Sequence, residues 1–219
     1  LLHLGPGLGN ALANLHNARK ANSPIVNIVG EHATYHVKYD APLTSDIEGI
    51  SRPVSHWVKT SPSAKTVASD GALAIAAART APGQIATLIL PANTAWEEAA
   101  GIASVPPIPG RAKVSDNAIK AAAAVLRPGE PTVLMLTGVA PREHALDLAG
   151  KIAAKTGCHI MGQGSNARIQ RGAGRVSFDR VPYPVDQALA RLKNYKHYIL
   201  VGARAPIAFF AYPNKPSQL

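Results

Sequence analysis

Residues 1–30 read LLHLGPGLGNALANLHNARKANSPIVNIVG, and the order of textures along them sets the fold class. An apolar opening, Leu1 to Leu4, runs into a glycine-rich turn, Gly5-Pro6-Gly7-Leu8-Gly9-Asn10. Asn10 to Lys20 then places Leu12, Leu15 and Ala18 at helical spacing, with Arg19 and Lys20 at the end where the helix dipole favours cations. Ser23-Pro24 leads into Ile25 to Val29, a short apolar run left through Gly30, as a buried parallel strand is. Strand, turn, helix and strand in this order make the unit from which parallel sheets are assembled.

The same alternation continues outward. Ala64 to Thr80 is alanine-rich with helical period and is stopped by Ala81-Pro82-Gly83. Ile85 to Leu90 is a second buried-strand candidate. Pro91 to Pro109 includes Pro106-Pro107 and sustains no period, which reads as a linker. Beyond it come a helix over Ser115 to Leu126, a strand over Thr132 to Leu136 and a helix over Arg142 to Lys155. A strand near His159, a helix over Val185 to Lys193 and a strand over Tyr198 to Val201 follow. Gly164 to Pro184, rich in Gly and Arg, is long for a compact connection and is either functional or mobile. The expected architecture is α/β: two open, mainly parallel sheets flanked by helices, the first incomplete at its N-terminus and the second cut at its C-terminus. The expected domains are residues 1–91 and 112–219, joined by a linker over 92–111. An apolar opening without a start methionine or signal peptide suggests an interior piece of a longer protein.

Composition narrows the function classes. Hydrophobic residues make up 47% and charged residues 16%, a globular balance. No apolar run approaches the roughly 20 residues that a membrane-spanning helix needs, so no membrane partner is expected. The single Cys158 permits no internal disulfide and suits a reducing compartment, so the cytoplasm is the expected location. The net charge of +10 is spread out, apart from Arg168, Arg171, Arg175 and Arg180, and aromatics are only 5%. That pattern reads as solvated surface, and no nucleic-acid partner is expected.

Gly5 to Asn10 is the first stretch with chemical meaning. In an open parallel sheet, ligands bind outside the carboxyl ends of strands, where glycines admit a ligand to the backbone and a helix start offers free N–H groups. The stretch is not GxGxxG and has no Walker lysine, so an ordinary tight turn remains an alternative. Glu31, His32, His36 and Asp40 suggest a metal set by type, but in a loop their spacing carries no geometry, and no metal ligand is assigned. Ser61, Ser63 and Ser165 lack a nucleophile elbow. Trp57 and Trp96 read as core or interface aromatics.

Read together, several segments resemble thiamine-diphosphate-dependent enzymes of the acetolactate synthase type. The Gly-Pro-Gly-x-x-Asn turn of that family's pyrimidine-binding domain is matched by Gly5 to Asn10. Its glycine-ended strand is similar to Ile25 to Gly30. Its Asp-Ala…Asp…Gly-Ile-x-Arg-Pro pattern stands here as Asp40-Ala41, Asp46 and Gly49-Ile50-Ser51-Arg52-Pro53, without a gap. Ile85 to Pro91 looks like the strand before the family's linker, and Val201-Gly202-Ala203-Arg204 resembles a strand end of its central domain.

The resemblance implies a lyase or carboligase acting on a small 2-oxo acid, by decarboxylation followed by protonation or ligation. It implies Gly5, Pro6, Gly7 and Asn10 as cofactor contacts, with Asn10 also capping its helix, and His32, His36 and Leu43 as the substrate loop. It implies thiamine diphosphate, with Mg²⁺ held by a domain absent from this stretch, and a homodimer or tetramer with sites between subunits. The catalytic glutamate of the family would lie ahead of Leu1, so no catalytic residue is assigned within these residues and the stretch alone is expected to be inactive. A Gly-Asp-Gly…Asn motif would follow the central domain. Where acetolactate synthases carry Phe-Gln, this chain has Pro42-Leu43, which replaces an amide by an apolar wall. Gly164 to Pro184 departs from the FAD-contacting pattern, which leaves FAD undecided. A reading from another class stands beside this one: a non-catalytic α/β nucleotide-binding or structural module.

Overall fold

The computed structural model describes all of residues 1–219, which form two compact units, Leu1–Arg111 and Ala112–Leu219. In the first unit the elements are β1 (Leu2–His3), α1 (Leu4–Lys20), β2 (Ile25–Glu31), α2 (Ile47–Ser51), β3 (Trp57–Thr60), α3 (Ala64–Arg79) and β4 (Ile85–Pro91), with a 3-10 turn over Val37–Tyr39. The four strands make one parallel sheet in the order β1-β2-β4-β3. Its central pair runs in register from Ile25 opposite Ile85 to Glu31 opposite Pro91.

Helices cover both faces, as a parallel sheet requires. On one face Leu4, Leu8 and Leu15 of α1 pack with Ile47 and Val54 onto Val29, Ile85 and Ile89. Each such side chain taken fully out of water contributes about 1.5–3 kcal/mol. On the other face Ala74 and Ala78 of α3 lie against Ala86 and Leu88. The polar groups this buries are paired: Asn27 Nδ2 donates to Thr87 Oγ1 at 3.1 Å, and the Ser55 and Thr87 hydroxyls are 2.7 Å apart.

The glycine-rich stretch is not a turn. The strand stops at His3 and α1 starts at Leu4, so Gly5-Pro6-Gly7 forms the first helical turn and Asn10 lies in the second. The whole strand-to-helix reversal falls on Leu4, whose φ is +49°. A proline this close to a helix start forfeits no bond, because the first N–H groups have no partner within the helix. Burial of Leu4 and Leu8, four residues apart, outweighs the poor propensity of the glycines between them. Asn10 is therefore no cap, contrary to the expectation from sequence. Two short elements were also not anticipated. Helix α2 is held by the Asp46 side chain, which accepts the Gly49 N–H at 2.8 Å, and β3 has only four residues, all half-buried.

In the second unit the elements are α4 (Asp116–Leu126), β5 (Thr132–Leu136), α5 (Glu143–Thr156), β6 (His159–Gly162), β7 (Asp179–Arg180), α6 (Val185–Leu192) and β8 (His197–Val201). The sheet is again parallel, ordered β7-β6-β5-β8, with every residue of β5 buried. The irregular stretch after β6 is tied down by Gln170. Its Oε1 accepts the Glu143 N–H at 2.6 Å and the Arg175 Nη1 at 2.7 Å, and its Nε2 donates to Glu143 Oε1 at 3.2 Å. Residues 97–115 carry neither helix nor strand. Two parallel α/β sheets are thus what the alternation in sequence called for.

Candidate functional site

Because all four strands of the first unit run the same way, everything that follows a strand's last residue gathers at one end of the sheet. The start of α1 follows β1, the segment 32–46 follows β2, Thr60 ends β3 and Pro91 ends β4. This end collects the candidate residues.

On α1, Gly5 is buried while Pro6, Gly9 and Asn10 are exposed. Pro6, Gly9 and Asn10 stand at i, i+3 and i+4, so they share one helix face. A Cβ at Gly9 would meet nothing within 4 Å, which leaves a bare step between the proline ring and the asparagine amide. Gly5 is used differently. A Cβ there would fall 2.3 Å from Ser45 Oγ and 2.5 Å from Ser45 Cβ, so the segment before α2 rests directly on the Gly5 backbone. Gly7 is hemmed in by its own N-terminal neighbours, with His3 Cβ 3.3 Å from a would-be side chain. Of the family-derived contacts, Pro6 and Asn10 are thus open to a ligand and Gly5 is covered by protein. Gly9, which the sequence reading passed over, is open as well. Its spacing of three from Pro6 was visible, but only once the stretch is helical does that spacing mean a shared face.

The segment 32–46 is braced from several sides. Glu31 Oε1 accepts the His32 N–H at 2.7 Å, and Asn93 Oδ1 accepts the Thr34 N–H at 2.9 Å. The His32 and His36 rings meet edge to face with centroids 5.6 Å apart, and His36 is 5.8 Å from Tyr39. His32 Nε2 is buried with no hydrogen-bond partner. A buried ring nitrogen left unpaired is costly, and a bound ligand is one way to satisfy it. Leu43 is 37% exposed and caps a turn closed by the Thr44 N–H on the Ala41 carbonyl at 2.8 Å. Ser45 follows, and its hydroxyl donates to the Leu43 carbonyl at 3.3 Å.

A cleft of about 200 Å³ opens here, lined by Glu31, Ser45, Asp46, Glu48, Arg52 and Thr60 among others. Its carboxylates are already engaged: Asp46 caps α2, Glu48 pairs with Arg52 at 2.9 Å and accepts the Thr60 hydroxyl at 2.7 Å, and Glu31 takes the His32 N–H. The cleft is therefore a polar recess and not an exposed acidic cluster. Asp70 of α3 is 1% exposed, with Lys59 Nζ at 2.6 Å and Ser61 Oγ at 2.8 Å. Burial alone pushes that carboxyl up, but hydrogen bonds from Lys59, Ser61 and Thr66 outweigh it and hold the group below the usual carboxylate range. A larger groove of about 460 Å³ runs along α5 in the second unit; Cys158 and His159 line it, but none of the candidate cofactor or substrate-loop residues does.

The exposed face of α1 offers an open step at Gly9 with the Asn10 amide beside it. Residues 1–55 match the family described as thiamine pyrophosphate enzyme, N-terminal TPP binding domain. The chain is a relative of thiamine-diphosphate-dependent enzymes, acetolactate synthase-like in sequence. Over all 219 residues it is 47% identical to a candidate acetolactate synthase large subunit, IlvX, of Mycobacterium tuberculosis (strain ATCC 25618 / H37Rv), and it spans 42% of that protein's length. The fold is shared with a candidate thiamin diphosphate-dependent enzyme isolated from Mycobacterium smegmatis, at a TM-score of 0.80 and 22% identity over 98% of this chain and 42% of that one. It is also shared with the thiamine diphosphate-dependent 4-hydroxybenzoylformate decarboxylase of Rhodococcus jostii RHA1, at a TM-score of 0.77 and 21% identity, with the same coverage.

Proposed function

We propose that the chain is the pyrimidine-binding and central part of a longer thiamine-diphosphate-dependent enzyme that decarboxylates or ligates a small 2-oxo acid, and that it is inactive by itself. The observation that carries this reading is the meeting of the glycine-bearing start of α1 with the 41–46 segment, through Gly5 and Ser45, at the carboxyl end of a parallel sheet. When bound, thiamine diphosphate supplies a carbon nucleophile and an electron sink for loss of carbon dioxide.

The chain's own residues do the rest. Pro6, Gly9 and Asn10 present the open face that would hold the cofactor ring, and the Asn10 amide would hydrogen-bond to it. Gly7 lets the first turn of α1 pass close to β1. Leu43, 37% exposed, would offer the substrate an apolar wall where acetolactate synthases carry an amide. His32 offers its unpaired Nε2 as a hydrogen-bond partner, and His36, in contact with it, holds the ring. The diphosphate and Mg²⁺ are held by another domain of the longer polypeptide, and the working form is a homodimer or tetramer. FAD forms no part of the proposal.

The full-length protein incubated with 2-oxo acids, thiamine diphosphate and Mg²⁺ tests the reading. Cofactor-dependent release of carbon dioxide is expected. Leu43→Gln, which restores the amide found in acetolactate synthases, shifts products toward ligation and leaves cofactor affinity nearly unchanged. Absence of cofactor-dependent release from every 2-oxo acid tried would sink the assignment.

A further inference from the structure

Ser45 joins two features that sequence treats separately. Its Cβ and Oγ occupy the space a side chain on Gly5 would need, and its hydroxyl holds the Leu43 carbonyl at 3.3 Å. Its own carbonyl accepts the Ile47 N–H at 2.9 Å, so the residue is tied to the start of α2 as well. Asp46, next in line, caps that helix. The substrate-loop candidate Leu43 is thus two residues from a fixed post, and the post stands on the backbone of the cofactor helix.

We infer that Ser45 is a positioning residue: it seats the 41–46 segment on Gly5 and thereby sets where Leu43 stands relative to the α1 face. The inference rests on the proposed function. Ser45 touches neither substrate nor cofactor in this account, so its loss changes substrate fit and spares cofactor affinity. Two atoms give two separable effects. The hydroxyl orients Leu43, while the bulk of Ser45 against the bare Gly5 sets the spacing of α1 and the segment.

The test uses Ser45→Ala, Gly5→Ala and the double variant Gly5→Ala/Ser45→Gly. In the 219-residue chain, Ser45→Ala speeds hydrogen exchange of the Thr44 and Ile47 amides by about threefold or more, the loss expected of one weak hydrogen bond. Gly5→Ala lowers the melting temperature because its Cβ meets Ser45, and the double variant recovers it because both clashing atoms are gone. In the full-length protein, Ser45→Ala raises KM for the 2-oxo acid several-fold, with kcat and the thiamine diphosphate Kd within about twofold of the parent. Unchanged exchange, or a Gly5→Ala variant as stable as the parent, overturns the seating. Faster exchange with an unmoved KM overturns the role in substrate placement. An unsubstituted full-length protein without thiamine-diphosphate-dependent turnover overturns the proposed function and Ser45's part in it together, while the exchange result still reports the contact.

Discussion

Replacing Asp70 by Ala is expected to destabilise the first unit by about 2–3 kcal/mol, and the figure follows from its partners. Asp70 is 1% exposed and takes an ion-pair hydrogen bond from Lys59 at 2.6 Å and a hydroxyl bond from Ser61 at 2.8 Å. A hydrogen bond to a charged group contributes about 1.5–3 kcal/mol. The Lys59 side chain is 41% exposed, so much of that is screened and the ammonium returns to water, leaving about 1 kcal/mol. Ser61 is 0% exposed and keeps only Thr66, at 3.0 Å, as a strong partner, which adds about 1–2 kcal/mol for an under-satisfied buried hydroxyl. Lys59→Met should cost more, because it strands a carboxylate with nowhere to go. Both tryptophans, Trp57 and Trp96, lie in the first unit, so urea unfolding followed by their fluorescence reports on that unit alone. The folded-state pKa of Asp70 is lowered, so its contribution is present above the unfolded value of about 3.9 and is lost as pH falls through the folded one. An Asp70→Ala variant within about 0.5 kcal/mol of the parent at neutral pH, where surface changes usually fall, would refute the reasoning.

Three further outcomes are expected. Gly83→Ala should destabilise by about 2 kcal/mol or more in the same urea assay, since φ is +126° and a Cβ would lie 2.3 Å from the Asn22 carbonyl oxygen. Asn10→Ala should leave the melting temperature of the chain unchanged or slightly higher, because Asn10 is inside α1 and caps nothing, whereas calorimetry on the full-length protein should show weaker thiamine diphosphate binding. His56 Nδ1 accepts the Ile85 N–H at 3.0 Å, and burial, then the nearby Arg19 charge, lower its pKa. Its contribution is complete above about pH 6.5 and fades as pH falls through that value toward the folded pKa; His56→Gln should flatten the dependence of urea stability on pH over this range.

Strands β4 and β5 were legible because each is a short apolar run bounded by Gly or Pro, as a strand covered on both faces has to be; β2 reads the same way but leaves Val26 and Ile28 exposed. The start of α1 was not, since Gly5, Pro6 and Gly7 are by propensity the residues of a turn. Packing of Leu4 and Leu8 and the fit of Ser45 onto Gly5 decide it, and neither contact is local in sequence. Helix α2 and strand β3, five and four residues long, are too short to show a period. Gly164 to Pro184 read as irregular and is mostly so, yet Gln170 anchors it to the start of α5 by bonds spanning 27 residues. At the site, the family resemblance pointed to Gly5, Pro6, Gly7 and Asn10 and to His32, His36 and Leu43. The opening at Gly9 and the coverage of Gly5 depend on which side of a helix faces its neighbours.

In the proposed function this chain supplies the pyrimidine side of a thiamine diphosphate site and lacks the diphosphate contacts. Calorimetric titration of thiamine diphosphate with Mg²⁺ into the 219-residue chain and into the full-length protein tests it most directly. Saturable binding by the full-length protein, with weak or no binding by the chain alone, is the predicted result. Micromolar binding by the isolated chain, or none by the full-length protein, would contradict it.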